Sequence, residues 1–127
     1  VFAGTRVLCA YAHGGRVSGR PRPDSDLDLG YYLAGWRSGE RLSVRAEMEM
    51  ADRLSAATGF EVDLRNLGEA TLELRGRVLE EGIRVYSGDH VERVALERGL
   101  LGRYHDYKDI FRRMHEVRLA RKAAKGV

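Results

Sequence analysis

Residues 13–24 constrain this chain more than any other stretch. They hold three glycines and two prolines in twelve residues, a density that neither a helix nor a strand tolerates. The segment before them, residues 5–12, is apolar and rich in β-formers, which predicts a buried strand. The segment after them, residues 26–33, alternates. Asp26 and Asp28 fall on one face, Leu27 and Leu29 on the other. A strand therefore feeds a Gly-rich loop, and the loop feeds a second strand that carries two carboxylates on one side.

The rest of the chain alternates helices and strands. Residues 38–58 read as a helix: Ser38 is a capping residue, Leu42, Ala46, Met50 and Leu54 recur every four residues, and Gly59 stops it. Residues 60–66 read as a third strand with Asp63 inside an apolar frame. Residues 71–81 form a short helix ended by Gly82, and 83–86 a fourth short strand. From Asp89 onward the pattern is one or two helices, in which Tyr104, Tyr107, Phe111, Met114 and Arg118 step by three and four residues. This stripe is a packing face, for the domain itself or for a partner. The order β, β, α, β, α, β, α predicts an α/β (α+β) fold, a small mixed sheet of about four strands with helices packed on it. Residues 1–90 form the core, and 91–127 a helical extension on the same domain that ends in a basic tail.

Composition narrows the function. With 127 residues, 43% of them hydrophobic, the chain can build one core and is not wholly disordered. No apolar run approaches the roughly 18 residues of a membrane helix. The lone cysteine, Cys9, excludes an internal disulfide and a cysteine-based zinc cluster; in a strand it reads as a small core residue. No secretory signal precedes it, so a reducing cytoplasm is the expected compartment. The net charge of +3 is uneven: residues 112–127 carry six Arg or Lys and one Glu, and the other 111 residues sum to −2. A uniformly basic coat is absent, so no specific nucleic-acid partner is expected, and without a long apolar run no membrane is expected either.

The loop and the acids carry chemistry. Gly14 and Gly15 permit unusual backbone dihedrals and let main-chain N–H groups approach a phosphate. Carboxylates at i and i+2 on a rigid strand, Asp26 and Asp28, can share a hard divalent cation such as Mg²⁺. A metal there clamps the phosphates of a nucleotide for an in-line displacement. Asp63, on another strand, completes a three-carboxylate site as general base or shared metal ligand. Trp36, near a turn, reads as a lid over the edge of the core.

The motif resembles that of a known family. Gly14-Gly15, ten residues, then Asp26-Leu27-Asp28 is similar to the Gly-Ser-x10-Asp-x-Asp motif of minimal nucleotidyltransferases of the DNA polymerase β superfamily. Arg16, Gly19 and Pro23-Asp24-Ser25-Asp26-Leu27-Asp28-Leu29 match the family's interior pattern, and Asp63 falls where the family places its third acid. The resemblance implies the nucleotidyltransferase fold, with residues 1–90 as catalytic core. It implies an antitoxin paired with a HEPN-domain toxin, transferring AMP from ATP to a toxin tyrosine. Asp26 and Asp28 would then hold Mg²⁺ and Asp63 would activate the acceptor, also reaching the metal. Gly14, Gly15, Arg16 and Ser25 would contact the nucleotide.

One departure stands out. The family's serine is Gly15 here, and its usual aromatic is His13. The lost hydroxyl removes a hydrogen bond to a charged group, worth about 1.5–3 kcal/mol, or about tenfold to a hundredfold in binding or rate. The alternative reading follows: a catalytically degenerate module of the same fold that neutralises a toxin by binding alone. Transfer to a small molecule is a third reading, in which a homo-oligomer would complete the acceptor pocket. Arg98, His105 and Tyr107 look like the catalytic motif of HEPN ribonucleases, yet they read as ordinary residues of an amphipathic helix.

Overall fold

The computed structural model describes residues 1–14 and 26–124. The two strands around the Gly-rich loop are β1 (Val7–His13) and β2 (Leu27–Leu33), and they pair antiparallel. A short 3-10 turn, Trp36–Ser38, precedes helix α1 (Val44–Thr58). Strand β3 (Val62–Asn66) follows, then a second 3-10 turn, Leu67–Glu69, and helix α2 (Leu72–Glu81). Strand β4 (Ile83–Ser87) leads into one long helix, α3 (His90–Ala124). The sheet order is β3-β2-β1-β4, with β3 parallel to β2 and the other pairs antiparallel. The mixed four-stranded sheet and the predicted element order are both present.

Helix α1 starts later than the sequence suggests. Ser38 ends the 3-10 turn, between Gly35 and Gly39, whose φ values are both +78°. Two left-handed residues four apart close that turn and stop a helix from running through it. The cap is Ser43 instead, whose hydroxyl accepts from the Ala46 N–H at 3.1 Å. Gly59, with φ +77°, ends the helix as expected. Thr71 caps α2 in the same way, through Leu74. The residues after Asp89 form one helix rather than two, with Gly99 and Gly102 accommodated inside it.

Each face of the sheet has its own core. On one, Ala10, Ala12, Leu29, Tyr31, Leu33, Val62 and Leu64 pack against Met50 and Leu54 of α1. On the other, Cys9, Tyr11, Tyr32 and Leu67 meet Val78 of α2 and Leu96 and Leu100 of α3. Trp36 packs on this second core, with its ring centroid 5.6 Å from that of Tyr32 and Arg75 over its face. It is a lid, as its sequence context suggests. Tyr104 is buried over Gly76 of α2, so it belongs to the domain's own packing. Tyr107, Phe111 and Met114 are exposed.

Candidate active site

The acids lie where the helical cover of the second face ends. Alternation along β2 and β3 places Asp28 and Asp63 on the side opposite Leu29 and Leu64. Parallel pairing puts Asp28 directly beside Asp63, and antiparallel pairing puts His13 on the other side of Asp28. Neighbours of this kind have Cβ atoms about 4.5–5.5 Å apart. A row of His13, Asp28 and Asp63 therefore crosses three strands at one level. Asp28 is half-buried and Asp63 exposed.

Gly14 makes room for Asp28. A Cβ at that position would lie 2.2 Å from the Asp28 Oδ2, and the backbone there has φ +86°. Both facts require glycine. Asp26 stands just before β2 and is exposed. It precedes Asp28 by two residues, the spacing that returns a strand side chain to the same face. Among the described residues no three His, Cys, Asp or Glu side chains come close enough to hold a metal ion. Of the three predicted acids, strand register sets Asp28 and Asp63 side by side, and Asp26 lies two residues before Asp28. Gly15, Arg16 and Ser25 lie outside the described residues.

The row is not electrostatically uniform. The Nε2 of His13 is buried and has no hydrogen-bond partner among the described residues. Burial pushes the His13 pKa below the ordinary imidazole value. Arg65 acts in the same sense, and Asp28 and Asp63 pull the other way. Arg65 follows Asp63 by two residues on β3 and shares its face. It was missed at the sequence level, although the alternation Val62-Asp63-Leu64-Arg65 carries the signal. Beside the row, a cleft of about 460 Å³ is lined by His13, Gly14, Leu74, Arg77, Val78 and Glu81. A second depression of about 540 Å³ shares Leu74 and reaches Arg65 and Thr71. Arg77 and Glu81 face the first cleft from α2, and only the three-dimensional packing brings them there.

Paired hard oxygen donors over a close backbone approach fit a divalent cation in chemistry. The comparisons with known proteins agree on the type of domain. The family described as polymerase beta, nucleotidyltransferase matches residues 2–91. The chain belongs to this family. No curated protein matches it. Solved structures of similar fold include toxin–antitoxin complexes. One is a toxin–antitoxin crystallised with AMP-PNP, 18% identical, TM-score 0.64, covering 93% of this chain and 87% of that one. Another is the MntA–HepT toxin–antitoxin, 16% identical, TM-score 0.60, covering 95% and 87%. A third is a tri-AMPylated Shewanella oneidensis HEPN toxin in complex with MNT antitoxin, 17% identical, TM-score 0.56, covering 93% and 84%. At these identities the likeness is one of fold.

Proposed function

We propose that the chain is a nucleotidyltransferase antitoxin that transfers AMP from ATP to a tyrosine of a HEPN-domain toxin. The observation that carries the reading is the Asp28–Asp63 pair on the open end of the sheet, with Gly14 yielding space to Asp28. The solved structures of similar fold support the choice of donor and acceptor, since one holds AMP-PNP and another an AMPylated HEPN toxin.

In this reading Asp28 and Asp26 hold Mg²⁺, and Asp63 borders the same site. The bound ion would neutralise charge on the triphosphate as the displacement proceeds. Asp63, exposed and beside Asp28, takes the proton of the acceptor tyrosine hydroxyl. The phenolic oxygen bonds to the α-phosphorus, the α–β phosphoanhydride breaks, and pyrophosphate leaves. Arg65 supplies a fixed positive charge on the same face, suited to the phosphates. Gly14, Gly15, Arg16 and Ser25 form the nucleotide-contacting loop in this reading.

Transfer of label from α-labelled ATP to the toxin tests it. The expected result for Asp28→Asn and for Asp63→Asn is a loss of about a hundredfold or more, with unfolding unchanged. Labelling at the wild-type rate in both variants would overturn the proposal. The substitution at Gly15 favours a second reading, in which the fold silences a toxin by binding alone. That reading predicts neutralisation that persists in Asp28→Asn.

A further inference from the structure

Helix α3 is 35 residues long, and only its first half is covered. Arg93, Leu96, Leu100 and Tyr104 are buried, at steps of three, four and four residues. The same face continues through Tyr107, Phe111 and Met114, flanked by Ile110 and Val117, at helical spacing. These five residues are each 40–51% exposed. One stripe thus runs off the domain with its chemistry unchanged. A solitary segment of this length is marginal as a helix in water, and an apolar face is what a partner stabilises.

Charge selects the occupant. Residues 110–124 hold five Arg or Lys and one Glu, a net +4. Ile110, Met114 and Val117 form the apolar floor of a depression of about 530 Å³ rimmed by Arg113, Arg118 and Arg121. Among the described residues none of these three arginines is ion-paired, whereas Arg112 is bound by Asp109 at 2.7 Å. A second copy of the helix would set +4 against +4. A nucleic acid would pair with the arginines but leave the aliphatic stripe wet.

We propose that the distal half of α3 is a docking surface for an acidic amphipathic helix of another protein, whose apolar stripe covers Tyr107, Phe111 and Met114 and whose carboxylates meet Arg113, Arg118 and Arg121. The surface is separate from the acid row, and it stands or falls independently of the nucleotide reading.

The test uses the full chain and four measurements. A labelled model helix with Leu at heptad a and d positions and Glu at the flanking positions is titrated by fluorescence anisotropy. A matching Lys peptide and a polyuridine RNA are titrated in parallel, and sedimentation reads self-association. The acidic peptide is expected to bind, with affinity falling at least about tenfold in Met114→Asp and again in Arg118→Glu. Binding should weaken with added salt. Circular dichroism and ATP titration of both variants should match the parent, which separates lost docking from lost folding. Equal binding of the Lys peptide, binding of polyuridine alone, dimerisation through the stripe, or no binding of the acidic peptide would each overturn the proposal.

Discussion

Single atoms decide the candidate site. Gly14 is held by two independent demands, its positive φ and the Asp28 oxygen that would lie 2.2 Å from any Cβ. Gly14→Ala should therefore push Asp28 out of line and strain the end of β1, at a cost of about 1–3 kcal/mol. Calorimetric titration with ATP and Mg²⁺ should read affinity at least about tenfold weaker, while the far-ultraviolet spectrum is retained. The sequence marks this glycine only as permissive, because the partner that demands it sits fourteen residues away across a strand pair. Cys9 shows the opposite case, where the sequence suffices. It is fully buried, and burial raises its thiol to about 11. An Ellman-type reagent should therefore leave it untouched in the native chain and react only on unfolding. Rapid native labelling would show that the first strand is not a core strand.

At the scale of elements, local pattern and packing compete. The alternation of β2 is visible in sequence because period-two spacing needs no partner. The start of α1 is not, since Ser38 and Ser43 are both capable caps and the glycines at 35 and 39 decide between them. The pairing of Asp28 with Asp63 is equally hidden. It depends on which residue of β3 aligns with which of β2 after α1 has returned the chain to the sheet. Helix α2 shows how packing overrides propensity. Alanine in place of Gly76 should favour the helix by about 1 kcal/mol. However, a Cβ there would lie 2.2 Å from the Tyr104 ring, so α3 could no longer sit against α2. We expect Gly76→Ala to destabilise by about 1–3 kcal/mol in urea unfolding. Gly76→Ala combined with Tyr104→Leu should recover part of the loss. A stabilised single variant would mean that α3 packs loosely enough on α2 to admit the methyl group.

For the whole molecule, the attachment of α3 is the joint that carries the docking surface. Its first half is tied to the sheet by a partly buried ionic cluster. Arg93 donates to Glu97 at 3.0 Å and to the Ser87 hydroxyl at 2.9 Å, and Tyr11 donates to Glu97 at 2.7 Å. Arg84 adds a weaker contact to Glu97 from β4. Strands β1 and β4 and helix α3 thus meet at a single carboxylate. Burial alone would raise the pKa of Glu97, but the hydrogen bonds from Tyr11 and Arg93 and the charges of Arg93 and Arg84 hold it below the ordinary value. The sign of the linkage follows. A depressed carboxylate contributes its stability above the unfolded value, about 4.3, and loses it as the pH falls through the lower folded value. The unfolding free energy should therefore fall with acid below about pH 4.3 more steeply in the parent than in Glu97→Gln, whose neutral amide cannot titrate. Arg93→Met should cost roughly 3 kcal/mol at neutral pH, because it strips the partly buried carboxylate of its nearest cation. It should also loosen α3 before the sheet, seen as faster hydrogen exchange along residues 93–104 than along β1 and β2. Uniform loss of protection in helix and sheet together would show that α3 is part of one cooperative unit and not a separable arm.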